Sequence, residues 1–260
     1  MPFWERHAVD PAGGLNTCIA DDGRVINRDK WLWSQWRAVW VFSKLYNDFG
    51  RDARWLDLAT HVYRFAARHG WDEQVGGWVL RVDGDGRVLD GCDSIYVDGF
   101  AIYGLGEYVR ATGSDEAAAL ARRTADSVLA RLKAPHDRIP HFPYAVPPGA
   151  RVHGLPMMFS LVLWELGGVL GDQAYRQAAA AMSDEIFARF YRPQRDLIVE
   201  RVAADGGDYP GVPGSTVVPG HVVEDMWFQI HIARDQGDQA RVREACRLMR
   251  RHMEIGWDAQ

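Results

Sequence analysis

Apolar positions recur three and four residues apart along most of this chain, in long blocks separated by Gly, Pro and Asp, and that period predicts helices. The blocks are of two kinds. Strongly apolar ones begin near Trp31, Ser94, Pro156 and His221, at intervals of 63, 62 and 65 residues. Between them lie amphipathic, Ala- and Arg-rich blocks, Asp52 to His69, Ser114 to Lys133, Asp172 to Phe190 and Asp238 to Ile255, whose polar faces suit solvent. A phrase recurs with the same period. The stretch from Phe3 through His7 to Gly13-Gly14 returns as Phe65 through His69 to Gly76-Gly77, more weakly as Ile186 to Pro193, and again as Met253 to Asp258, with Leu132-Lys133-Ala134-Pro135 between. After the second copy, Gly77 to Gly86 alternates and then turns Gly-rich, which predicts a small β-hairpin or loop.

Each unit therefore reads as a helical hairpin with one exposed and one buried helix. Such units bury their faces by stacking on their neighbours, as an open solenoid or as a closed toroid. The length of the unit and the elaborate loop before each apolar helix favour the toroid. The expected fold is all-α, a single (α/α)6 barrel domain of inner and outer helices over residues 1–260, with short β-hairpins in its loops. Six hairpins of this size need about 380 residues. Four inner helices are present, and both ends fall in mid-phrase, so the expectation is a chain truncated at both ends, with a genuine shorter arc as the alternative.

Composition narrows the partners. The chain of 260 residues is 47% apolar and 25% charged, and its net charge of −5 comes without an acidic or basic block. Neither nucleic acid nor an anionic membrane surface is indicated. The three cysteines, Cys18, Cys92 and Cys246, are too far apart for a CxxC motif and fit a reducing, cytoplasmic setting. No run approaches the roughly 18 apolar residues of a membrane span, and Met1 to Asp10 lacks a signal-peptide core. The 11 tryptophans suit stacking on sugar C–H groups, although each serves equally well in a core.

In a barrel of inner helices, their N-terminal ends and preceding loops meet at one mouth, and residues there are the site candidates. Pro219-Gly220 hands His221 to the first turn of a helix, with Glu224 and Phe228 on the same face; the alternative is a capping-region histidine beside a solvated Glu224-Asp225 pair. On the first inner helix Trp33, Arg37 and Trp40 share one face, and Leu32, Trp36, Val39 and Phe42 the other. Arg37 either serves the site or packs its stem on indoles. Tyr96 and Asp98 suit hydroxyl binding, or equally the roles of a cap and a packing residue. In the third unit Pro156 is read as the first helical residue, with His153 a candidate and Met157 and Met158 core or site. Gly104-Leu105-Gly106 reads as a close-packing site. No GxSxG, HExxH, Walker or GxGxxG motif occurs, and His221 with Glu224 lacks further metal ligands in the sequence pattern. Neither a metal nor a cofactor is expected.

Lys30-x-Leu32-Trp33-x-Gln35-x-Arg37-x-x-Trp40-x-Phe42-Ser43-x-Leu45-Tyr46-Asn47, then Pro156-Met157-Met158, then Pro219-Gly220-His221-x-x-Glu224-x-Met226-Trp227-Phe228, together resemble the N-acylglucosamine 2-epimerase family, whose cousins are cellobiose 2-epimerases and aldose-ketose isomerases. The resemblance runs over the whole chain. It implies a six-hairpin (α/α) barrel and a cofactor-free epimerase that takes the C2 proton from an open-chain sugar such as N-acetylglucosamine through an enediolate. On that resemblance Arg37 stabilises the enediolate, His221 is one of two acid–base histidines, and Glu224 is the carboxylate beside it. Trp33, Tyr96, Asp98, His153, Met158 and Trp227 are expected to bind the substrate, a small sugar, with homodimer formation left open. Pro156-Met157-Met158 resembles the N-acylglucosamine branch more than the disaccharide branch. The family's second histidine, a further glutamate and an arginine have no counterpart here, so this chain alone is expected not to invert C2 and to expose an apolar edge. Two other classes stay open: an (α/α)-barrel glycoside hydrolase using Asp98 and Glu224, and a non-catalytic carbohydrate- or protein-binding arc.

Overall fold

The computed structural model describes residues 2–258. Its helices in chain order are α1 (Pro2–His7), α2 (Leu32–Asp48), α3 (Ala53–His69), α4 (Ile95–Thr112), α5 (Asp115–Arg131), α6 (Gly154–Leu170), α7 (Gln173–Glu185), α8 (Gly211–Ser215), α9 (Pro219–Gln236) and α10 (Gln239–Gly256). Helix α7 runs on into a π-type turn over Ile186–Phe190. Eleven strands of two or three residues lie in the loops: β1 (Cys18–Ile19), β2 (Val25–Asn27), β3 (Lys30–Trp31), β4 (Trp71–Asp72), β5 (Gly77–Trp78), β6 (Arg81–Val82), β7 (Val88–Asp90), β8 (Ala150–Val152), β9 (Tyr191–Arg192), β10 (Leu197–Ile198) and β11 (Arg201–Ala203).

The chain divides into two compact units, one of Met1–Lys133 with Ile139–Tyr144, the other of Ala134–Arg138 with Ala145–Gln260. In the first, α2 packs on α4, α3 on α2 and α5 on α4; in the second, α6 packs on α7 and α9, and α9 on α10. The inner helices of the first unit are α2 and α4. Leu32, Trp36, Val39 and Phe42 of α2 are buried, as their shared face predicts, while Trp33 and Trp40 are half-buried and Arg37 is exposed. Gly104 does bring two helices close: a Cβ there would stand 2.6 Å from the Trp36 carbonyl oxygen.

Local chemistry explains why every hairpin turns sharply. Three of the four inner helices end on a glycine in the left-handed region, Gly113, Gly171 and Gly237, where a Cβ would be strained. An N-cap for the outer helix follows at once or nearly so: the side chains of Asp52, Ser114, Asp172 and Asp238 accept backbone N–H groups of Arg54, Ala117, Ala174 and Arg241. Inner helices lack side-chain caps, and loop carbonyls take their first N–H groups instead. Leu32 N–H donates to Leu80 O at 2.9 Å, Ile95 N–H to Pro140 O at 3.0 Å, and His153 N–H to Glu200 O at 3.0 Å.

Two local expectations are corrected. Gly77 to Gly86 is not one hairpin: β5 pairs back with β4, whereas β6 joins β3 and β7 in a three-stranded sheet, because the chain must reach across to close the start of α2. Helix α6 begins two residues before Pro156, at Gly154, since the carbonyl of Glu200 already satisfies the N–H of His153.

Candidate active site

In the second unit a chain of ionisable groups gathers at the start of α9. Pro219 is the first residue of that helix, so His221 falls in its first turn. The His221 side chain is half exposed, and its Nδ1 bonds Glu200 Oε2 at 3.2 Å. The same oxygen lies 4.0 Å from His153 Nδ1, and His153 Nε2–H donates to Asp225 Oδ2 at 2.7 Å. His153 and Asp225 are fully buried. Asp225 Oδ1 accepts from Gln229 Nε2 at 2.7 Å, and Gln229 Oε1 accepts from Ser183 Oγ at 2.6 Å.

Burial works to raise the Glu200 carboxyl, but the hydrogen bond from His221 and the positive charges of His153, His221 and Arg201 outweigh it and hold the group below the ordinary 4.5. His221 moves the other way. Its hydrogen bond to Glu200 raises it above the ordinary 6.5 against partial burial, with the charges of Glu200 and Glu224 adding to the rise. A carboxylate on Nδ1 leaves Nε2 as the atom that can take a proton from a ligand.

The remaining candidates of this unit surround α6 and α9. Glu224 is exposed one turn after His221, and Met158 is half-buried. Trp227 is exposed and stacks on His231, with ring centroids 6.2 Å apart. Phe228, one turn further along the face of His221 and Glu224, is buried, while Glu224 and Trp227 are exposed and His231 is half-open. Asp225 is likewise no solvated neighbour of Glu224 but the buried partner of His153.

In the first unit the candidates lie on α2 and α4. The Arg37 guanidinium lies 3.6 Å from the centroid of the Phe100 ring. Trp33 stacks on Trp31 at 5.4 Å and stands 6.0 Å from Phe142, whose ring is partly exposed. Tyr96 Oη shares a hydrogen bond of 2.8 Å with His141 Nε2. Asp98 takes the packing alternative over hydroxyl binding: its fully buried carboxylate accepts from Arg131 at 2.6 Å and from Trp78 N–H at 3.2 Å. Burial pushes that carboxyl up to about 6 against the Arg131 charge.

Glu200 was missed, although the repeat carries a signal for it. Trp78-Val79-Leu80-Arg81-Val82 and Ile198-Val199-Glu200-Arg201-Val202 align as the same loop, and the second has a glutamate where the first has a buried leucine. Asp225 left no such signal. Among the described residues, no three His, Cys, Asp or Glu side chains gather as a metal site, and no helix is long and apolar enough to cross a membrane.

Helical hairpins with capped outer helices, and a histidine–carboxylate pair at the mouth of an inner one, define a protein of the (α/α)-barrel class. A solved cellobiose 2-epimerase from Bacillus thermoamylovorans has the same fold, with a TM-score of 0.83 at 18% identity over 98% of this chain and 69% of that one. The chain belongs to the N-acylglucosamine 2-epimerase family, whose sequence profile matches residues 13–260. It is 28% identical to the human N-acylglucosamine 2-epimerase over 268 aligned residues, covering 99% of this chain and 62% of the human protein. A cellobiose 2-epimerase of Bacteroides fragilis is 34% identical over 119 residues, covering 45% of this chain and 30% of that protein. The chain thus spans just over three-fifths of the length of the human relative.

Proposed function

We propose that this chain serves the C2 proton-transfer step, through an enediolate, of a sugar 2-epimerase reaction that interconverts N-acetylglucosamine and N-acetylmannosamine. The observation that carries this reading is the hydrogen bond between His221 Nδ1 and Glu200. It fixes the tautomer whose Nε2 lone pair accepts a proton, and it stabilises the imidazolium that then forms. Glu224, one turn on, adds negative charge that favours the same protonated state. Arg37 enters through the family resemblance as the cation that steadies the enediolate oxygen, a contribution of several kcal/mol for a preorganised donor; the Phe100 ring beneath it restricts the guanidinium plane.

The N-acetylated sugar is favoured over a disaccharide because the match to N-acylglucosamine 2-epimerases spans the whole chain, whereas that to the cellobiose enzyme spans less than half. Return of the proton to C2 from the opposite face inverts the centre; return to C1 gives a ketose, so an aldose-ketose isomerase is the second reading on the same intermediate. The proton moves between histidine and carbon without a cofactor. The small sugar is the proposed partner, a homodimer the proposed assembly, and the cytoplasm the proposed setting, in keeping with three unpaired thiols.

The test is incubation with N-acetylglucosamine in D2O, followed by mass and NMR measurement of deuterium at C2. Label at C2 that disappears in His221→Asn is the expected result. Sugar that stays unlabelled overturns the reading.

A further inference from the structure

The backbone bond that closes an inner helix onto the loop between two short strands pairs Leu32 with Leu80 in the first unit and His153 with Glu200 in the second. In the first unit both side chains are buried leucines, so apolar packing suffices to close this turn. The second unit places two ionisable groups there instead. Burying charge costs several kcal/mol per ion unless partners compensate it, and the fold as seen in the first unit has no need of that expense.

The surroundings of His153 show what the exchange provides. Its ring is wholly buried with a carboxylate on each nitrogen: Asp225 Oδ2 at 2.7 Å from Nε2 and Glu200 Oε2 at 4.0 Å from Nδ1. Among the described residues Nδ1 has no hydrogen-bond partner, and the Glu200 oxygen is a polar group it faces. Asp225 is held from behind by Gln229, which Ser183 and Ser160 fix in turn. The Glu200 oxygen that faces His153 is the one bonded to His221.

We propose that His153 is a buried imidazolium clamped between Asp225 and Glu200, and that this fixed charge loosens the hold of His221 on its proton without touching the sugar. The inference rests on the reading of His221 as the proton carrier and makes His153 a positioning residue. Two effects act in the same direction. The positive charge of His153 repels a proton on His221. It also keeps Glu200 paired when His221 is neutral, a state that would otherwise strand a buried carboxylate. The other charged groups around this pair are Glu224 on α9, Arg201 on β11, and His252 with Arg251 on α10, where His252 feels the charge of His153. The π-type turn places the Phe190 ring 5.6 Å from that of His153.

Long-range 1H–15N NMR of the histidine rings tests this without any sugar. In the wild-type chain at neutral pH, both ring nitrogens of His153 are expected to carry protons; a bare Nδ1 overturns the proposal. In His153→Gln, which keeps a donor toward Asp225 but removes the charge, the titration midpoint of His221 is expected to rise by about half a pH unit or more. An unchanged or lower midpoint in a folded variant overturns it. Should His153→Gln fail to fold, Asp225→Asn decides: loss of one of the two ring protons of His153 supports the clamp, and retention of both overturns it. Because these readouts need no turnover, a failure of the D2O assay would sink the epimerase reading and leave this one standing or falling by itself.

Discussion

His221 and Glu200, 21 residues apart in sequence, share a hydrogen bond of 3.2 Å that joins the first turn of one inner helix to the loop ahead of it. The bond sets which nitrogen of the histidine meets a ligand. His221→Asn keeps much of the volume and the polarity while removing the proton carrier. It is expected to abolish C2 deuterium exchange with the circular dichroism spectrum unchanged; exchange near the wild-type rate would show that the proton moves elsewhere.

Glu200→Gln removes the charge that raises His221. The acid limb of the exchange-rate profile, where His221 becomes protonated and stops acting as a base, is expected to move to lower pH in the variant. The stability contribution has a definite sign as well. A histidine raised in the folded state adds stability that is fully present below its ordinary value of 6.5 and is lost as pH climbs through the higher folded value. Urea denaturation of wild type and variant at pH 5.5 and 8.5 should therefore differ more at the lower pH. A pH-independent difference would contradict the pairing.

Arg37→Lys replaces a planar fork resting on Phe100 with a compact point charge. The turnover number is expected to fall by more than about threefold, or roughly 0.7 kcal/mol. A smaller loss would return Arg37 to packing.

Asp98→Ala strands the partly buried Arg131 and removes an acceptor from Trp78 N–H. Breaking such a pair costs about 3–5 kcal/mol, measurable as a lower denaturation midpoint. A shift close to zero would mean that Arg131 escapes to solvent at no cost.

Gly104→Ala tests the close approach of α2 and α4. The new methyl would sit 2.6 Å from a backbone carbonyl, which cannot rotate away. Overpacking of this sort costs about 1–3 kcal/mol, and the melting temperature should fall accordingly. Unchanged melting would mean that the helix pair can separate freely.

The sequence by itself determined the hairpins, because their signals are local. Apolar spacing marks the inner helices, and Gly113-Ser114, Gly171-Asp172 and Gly237-Asp238 write each turn as a left-handed glycine followed by a capping side chain. It also placed His221 in the first turn of a helix, since Pro219 can open a helix but not continue one. Only the tertiary structure decided the partners. The place of Asp98 near a helix start left hydroxyl binding, capping and packing open, and Arg131, 33 residues away, meets it in the interior. Asp225 looked like a solvated neighbour of Glu224, yet it turns into the interior and is buried against His153, 72 residues back. The strength of a buried ion pair depends on desolvation and on distance through space, and neither is written in spacing along the chain.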